Sequence, residues 1–275
     1  MSRIQNILDK AEREGTVRRV HAVGAGGLAA VADSPTTFIT PPASAGAEAG
    51  PAVPVAPAPG RVLTNVRLHP HLIMAGDDGG VAAEQYRGLR TRILHADNGA
   101  PVNVVLVTSP GRGDGKSLTI ANLGLTMAQE QQRRICVIDA DLRQPRQDQL
   151  FGLPAAPGLA DVLACDTALD DALVALEEYQ ITILPAGTAS ARPAELPGTS
   201  AMRRTIEALR SRFDCILIDA PAAIPLADVG ILTPLVDSIV MVVRAGMTSK
   251  PAIHDAVSSI DGSKLLGIVL NEATA

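Results

Sequence analysis

The chain has 275 residues, of which 47% are hydrophobic and 19% charged, with a formal net charge of −5. This suits a sizeable globular domain with an appendage and argues against a protein built to coat nucleic acid, so no nucleic-acid partner is expected. Its three cysteines, Cys136, Cys165 and Cys215, stand at spacings no zinc site uses, and no apolar run approaches the roughly 20 residues of a membrane-spanning helix. Reduced, packed thiols and a cytoplasmic location are the expectations, since the first residues also lack a signal peptide's hydrophobic core.

Within residues 1–20, Ile4, Ile7, Leu8 and Ala11 fall on one face of a short amphipathic helix, with Ser2 as its N-cap. A helix so short is marginal alone, so its face either takes a partner or frays. Residues 21–79 are rich in Ala, Gly, Val and Pro, and Pro41, Pro42, Pro51 and Pro54 are among the prolines that block regular structure. They read as a disordered linker, leaving 80–275 as the folded domain. Val81 to His95 then reads as a helix with Tyr86, Leu89 and Ile93 on its apolar side and Glu84, Arg87 and Arg90 at three-residue steps. That stripe is either a solvated face or a charged seam that meets a second copy of the chain.

Val104 to Ser117 is the informative stretch: a buried strand, a glycine-rich turn, then Lys116-Ser117 opening a helix whose Leu118, Ala121, Leu125 and Ala128 recur at helical spacing. Gly111, Gly113 and Gly115 let several backbone N–H groups point at one anion, and the helix start adds its partial positive charge. The candidate nucleotide-binding residues are therefore Gly111, Arg112, Gly113, Asp114, Gly115, Lys116, Ser117 and Leu118. Lys116 is placed for the β- and γ-phosphates and the Ser117 hydroxyl for Mg²⁺. Pro110 occupies the place of the pattern's first glycine, and a turn that binds nothing is the alternative.

Downstream, the apolar run from Ile135 ends in Asp139 and Asp141, and the run from Cys215 ends in Asp219. Alternate side chains at a strand end face the same way, so Asp139 and Asp141 can approach one Mg²⁺-bound phosphate, while Asp219 stands where a metal-contacting acid is expected. Further strands fit Ile181 to Pro185, Asp237 to Val243 and Leu265 to Asn271, with helices over Ala201–Arg212 and Ala252–Ile260. The alternation predicts an α/β fold, a mostly parallel sheet with helices on both faces, and a ligand at the carboxyl ends of the strands.

Gly113-Asp114-Gly115-Lys116-Ser117, Asp139-Ala140-Asp141-Leu142-Arg143 and Asp219-Ala220-Pro221 resemble the Walker A, Walker A′ and Walker B motifs of the bacterial tyrosine kinases. These are P-loop autokinases of capsule and exopolysaccharide chain length and export. Phe151-Gly152-Leu153-Pro154, Leu184-Pro185-Ala186-Gly187 and Pro193-Ala194-Glu195-Leu196 also fit, and the segment from Met1 to Glu12 is similar to stand-alone, CapB-like members associated with exosortase-type loci.

The resemblance implies a P-loop NTPase fold of the MinD-like kind, with ATP and Mg²⁺ as cofactors. It implies Lys116, Asp139 and Asp141 as catalytic residues, Asp139 taking the tyrosine's proton. Ser117, Asp141 and Asp219 would hold the metal, and Asn271 would meet the adenine. It further implies a ring oligomer built by Glu84, Arg87 and Arg90, and activation at the inner face of the membrane by a chain-length-determining, polysaccharide co-polymerase protein. Two departures stand out: Arg112 replaces the usual proline, and the family's tyrosine-rich tail has no counterpart before Ala275. The rival readings are a MinD/ParA-like ATPase switch, whose signature lysine is replaced by Gly111, and a non-catalytic nucleotide-binding regulator of polysaccharide assembly.

Overall fold

Near-continuous apolar strands need cover on both faces, and the observed sheet has it. The structure is a computed structural model that describes residues 60–73, 80–95, 102–129, 133–189, 193, 195–224 and 228–272. The helix expected over 1–20 and most of the expected linker lie outside the described residues. The strands are β1 (Arg61–Leu63), β2 (Val104–Thr108), β3 (Ile135–Asp139), β4 (Val174–Leu176), β5 (Ile181–Leu184), β6 (Cys215–Asp219), β7 (Ser238–Arg244) and β8 (Leu265–Asn271). They form one sheet in the order β1-β4-β5-β3-β6-β2-β7-β8, parallel throughout except for the β4–β5 pair. Every residue of β2, β3, β5 and β6 is buried.

The helices are α1 (Val81–Leu94), α2 (Lys116–Ala128), α3 (Gln147–Phe151), α4 (Leu159–Leu163), α5 (Leu169–Ala172), α6 (Ser200–Arg210), α7 (Asp228–Leu232) and α8 (Lys250–Ser258). All of Thr119–Ala128 in α2 is buried, because this helix is packed between the sheet and α1. Gly124 permits that approach: a Cβ there would lie 2.8 Å from Val137 Cγ2 on β3. The amphipathic α6 buries Met202, Ile206 and Leu209, one turn apart on a single stripe.

Several element ends differ from the sequence reading by a residue or two, and two differences bear on the architecture. The strand expected from Asp237 starts at Ser238, because the Asp237 carboxylate accepts from the backbone N–H groups of Asn103 and Val104 at 3.0 and 2.7 Å. It thus ties down the start of β2. More consequentially, the domain does not begin at 80. β1 lies inside the stretch read as linker and pairs in parallel with β4, and Leu72 is buried at 3% exposure. Val55–Ala273 forms one compact unit. A three-residue strand beside prolines is too short to show alternation, and only its pairing with β4 defines it. The short elements β4, α3, α5 and α7 likewise carry no sequence pattern long enough to define them.

A chain beginning at Gly80 should therefore melt below one beginning at Val55. Losing the burial of Leu72 and the partly buried Leu63, Val66 and Leu68 removes roughly 3 kcal/mol or more, about 5–10 °C in calorimetry. Equal melting temperatures would show that residues 60–73 add nothing to the core.

Candidate active site

Parallel pairing fixes the site. β3 and β6 pair with Asp139 opposite Asp219, and β6 and β2 with Asp219 opposite Val107, so both acids come level with the start of the phosphate loop. The loop is held from several sides. Gly115, at φ +92°, supplies the left-handed turn into α2, a conformation that favours glycine. Asp114 is buried, and its carboxylate accepts from Gly111 N–H at 2.9 Å and from the Thr248 hydroxyl at 2.7 Å. The Asn271 amide donates to the Asp114 carbonyl at 3.0 Å, and the Thr108 hydroxyl donates to the Pro221 carbonyl at 2.7 Å. Asp114 thus spends its side chain on bracing the loop. Asn271, expected at the adenine, has its amide committed to the same loop.

Lys116 lies in the midst of the acids. Its ammonium donates to Asp141 Oδ2 at 2.8 Å and to Ser117 Oγ at 3.3 Å, and stands 3.6 Å from Asp219 Oδ1. Burial acts to lower the Lys116 pKa and is the largest single influence, but the pull of Asp219, Asp141 and Asp139 together outweighs it and the group titrates above its ordinary value. Burial raises the Asp219 pKa, with Lys116 opposing it. Asp139 is likewise raised, by burial first and by the Asp219 charge second.

The three acids differ in what they face. Asp139 is wholly buried: Oδ2 accepts from the N–H groups of Arg146 and Gln147, both at 2.9 Å, and Oδ1 from Asp141 N–H at 3.2 Å. It is not among the residues that line the cavity, and its carboxylate braces the loop after β3. Asp141 does line the cavity, beside Lys116, Ser117 and Leu118. Asp219 accepts from Gln147 Nε2 at 2.8 Å through Oδ2, while its buried Oδ1 has no hydrogen-bond partner.

That unsatisfied oxygen tests the metal expectation. No group of three or more His, Cys, Asp or Glu side chains able to hold a metal occurs among the described residues. Mg²⁺, however, typically takes one or two carboxylates and completes its shell with water and phosphate oxygens. Asp219 Oδ1 beside the Ser117 hydroxyl and Asp141 is such a hard-oxygen set, so the residues fit Mg²⁺.

Sequence reasoning missed Gln147 and the pair His69 and His71. Gln147 is fully buried, and its Nε2 also donates to the Ser117 carbonyl at 3.1 Å; a lone glutamine after a turn carries no periodic signal. His69 and His71 line the same cavity of about 300 Å³, from the stretch read as linker. The charged stripe on α1 is partly spent within the chain: Arg87 pairs with Glu84, and Arg90 Nη1 donates to the Thr126 carbonyl at 3.2 Å. No helix among the described residues is long and apolar enough to cross a membrane. Cys136 and Cys215 are buried free thiols, as the sequence suggested, but Cys165 is exposed.

No protein-family model matches the chain. Tyrosine-protein kinase YwqD of Bacillus subtilis (strain 168) is 32% identical over 207 residues, which are 74% of this chain and 87% of that protein. The succinoglycan biosynthesis transport protein ExoP of Rhizobium meliloti (strain 1021) is 30% identical over 195 residues, 69% of this chain and 25% of that protein. Among solved structures, the chimerical protein CapA2B2 superposes with a TM-score of 0.71 at 26% identity, covering 80% of this chain and 96% of that one. The fold also matches the septum site-determining protein MinD of Pyrococcus horikoshii complexed with Mg-ADP, at a TM-score of 0.50 and 24% identity over 62% of this chain and 70% of that one.

The raised Asp219 value gives a signed test. A carboxyl whose folded pKa is raised contributes stability that is full below its unfolded value near 3.8 and lost as pH rises through the folded one. Asp219→Asn should therefore gain melting temperature relative to the nucleotide-free wild type as pH rises from 5 to 8, by about 2–4 °C per kcal/mol recovered. Mg²⁺ with nucleotide should stabilise the wild type more than the variant. A difference in melting temperature that is flat with pH would remove the destabilising charge from Asp219.

Proposed function

The chain belongs to the bacterial tyrosine-protein kinase family, and we propose that it moves the terminal phosphoryl group of ATP onto tyrosine hydroxyls in the control of capsule or exopolysaccharide assembly. The observation that carries this reading is the convergence of Lys116, Ser117, Asp141 and Asp219 behind a braced phosphate loop, at the carboxyl ends of parallel strands. The loop's free N–H groups and Lys116 hold the phosphates. Ser117 and Asp219 would hold Mg²⁺, which when bound neutralises charge on the phosphate oxygens.

The tyrosine oxygen attacks the γ-phosphorus, the bond to the β–γ bridging oxygen breaks, and ADP leaves. The phenolic proton passes to a carboxylate, and we assign that part to Asp141, the acid on the cavity wall. The site positions reactants and neutralises charge, with no covalent chemistry of its own. Similarity to the succinoglycan biosynthesis transport protein ExoP supports a polysaccharide transport setting, and with it a membrane-bound polysaccharide co-polymerase as activator and recruiter to the inner membrane face. Self-association through α1 is proposed with Glu84 and Arg87 as its charged seam. Arg90 contributes less, since its guanidinium already holds the Thr126 carbonyl.

Incubation with γ-labelled ATP·Mg²⁺ and a tyrosine-bearing polypeptide should place label on protein tyrosine. Label found only in free phosphate would identify a nucleotide switch, and no turnover at all a non-catalytic regulator. Lys116→Met should lower transfer at least about 10²-fold. Asp141→Asn should cut kcat about 10²- to 10⁴-fold with nucleotide Kd little changed, whereas Asp139→Asn should act mainly on nucleotide Kd through the loop it braces. The reverse order would return the proton-accepting part to Asp139.

For self-association, sedimentation velocity is the measurement. Glu84→Ala with Arg87→Ala should shift a concentration-dependent oligomer toward monomer, the exposed intrahelical pair itself being worth only about 0–1 kcal/mol. A variant that assembles as well as the wild type leaves the stripe a solvated face.

A further inference from the structure

The stretch from Asn65 to Ile73 forms a strap whose His69 and His71 line the phosphate cavity. His69 N–H donates to the Leu150 carbonyl of α3 at 2.9 Å, and the His71 carbonyl accepts from Asn122 of α2 at 3.2 Å. Just after them Leu72 closes a turn, its N–H donating to the His69 carbonyl at 2.9 Å, and is buried, which anchors the strap in the core. The two imidazoles meet edge to face, with ring centroids 5.0 Å apart, and both line the cavity while remaining open to solvent.

At about 300 Å³ the cavity is at the lower end of small-ligand pockets. It includes Lys116, Ser117 and Asp141 but neither Asn271 nor any residue of β7 or β8. That is room for a terminal phosphate and one side chain. The remaining wall is cationic. Among the described residues, Arg112, Arg143 and Arg146 line it against one acid, Asp141; Arg143 is neutralised by Asp228 at 3.0 Å, whereas the Arg146 guanidinium donates to the uncharged Gln149 at 3.0 Å.

We propose that this strap is the specificity-determining wall for the phosphoacceptor, with His69 and His71 flanking the incoming tyrosine ring and Arg146 selecting acidic residues beside it in an extended polypeptide. The proposal rests on the kinase reading above and names the acceptor class for that same site. Imidazole edges offer ring contact and a hydrogen bond together. A guanidinium that has no anionic partner among the described residues favours an incoming carboxylate and disfavours a lysine.

The test uses the full chain with ATP·Mg²⁺ and two soluble tyrosine copolymers, one of glutamate and tyrosine and one of lysine and tyrosine. Phosphotyrosine formation and nucleotide Kd are both measured. The wild type should favour the acidic copolymer at least about tenfold in kcat/KM. Arg146→Glu should reduce that ratio at least tenfold, and His69→Ala with His71→Ala should raise KM for the acidic copolymer several-fold, nucleotide Kd staying within twofold. His69→Gln with His71→Gln, which keeps side-chain hydrogen bonding and loses the rings, should recover only part of that KM, separating ring contact from folding. Transfer indifferent to copolymer charge, or strap variants that change nucleotide Kd instead of acceptor KM, would overturn the proposal. Absence of phosphotyrosine on either copolymer, with nucleotide bound, would overturn the kinase reading and this inference with it.

Discussion

Everything in the site depends on one largely enclosed ammonium surrounded by three buried carboxylates. Lys116 is 2.8 Å from Asp141 and 3.6 Å from Asp219. At an effective dielectric near 20 the second of these contacts is worth about 4–5 kcal/mol, comparable with the several kcal/mol that burying each ion costs. The cluster therefore contributes little net stability, and with three acids to one lysine it leaves negative charge over. Burial first, and the charge of neighbouring acids after it, hold the pKa values of Asp139 and Asp219 above the ordinary carboxylate value. A centre so constituted is completed by added positive charge beside the phosphates, which the unsatisfied Asp219 Oδ1 is placed to meet.

Holding such charges in place takes more protein than the motif residues themselves. Asp114 and Asn271 fix the loop from within and from β8. Asp139 gathers the N–H groups of the chain that follows β3, and Gln147 ties α3 to Asp219 and to the Ser117 carbonyl at once. These bonds carry no chemistry, but they set the positions on which a reaction of positioning and charge depends. Gln147, whose Oε1 is itself buried without a partner, belongs to this supporting layer and couples the β3 acid to the β6 acid.

The edges of the fold show how a short element acquires importance through its neighbours. β4 turns antiparallel to β5 and offers its other edge to β1. That pairing draws residues 60–73 out of the apparent linker and brings His69 and His71 to the phosphate cavity. The histidines that line the cavity therefore come from the same chain segment that closes the sheet.

Much of this was legible in the residues. Continuous apolar runs ending in Asp139 and Asp219, and glycines leading into Lys116-Ser117, encode buried parallel strands and a phosphate loop locally, since period, turn chemistry and helix start are properties of neighbours in sequence. The tertiary structure alone decided what each acid faces. Asp139 and Asp141 look equivalent as alternate residues of a strand end, yet the first turns into backbone donors from residues 141–147 and the second into the cavity, a distinction made by the path of the chain after β3. It alone also placed His69 and His71 at the site, because a three-residue strand has no pattern of its own and is specified by the partner it pairs with across more than a hundred residues.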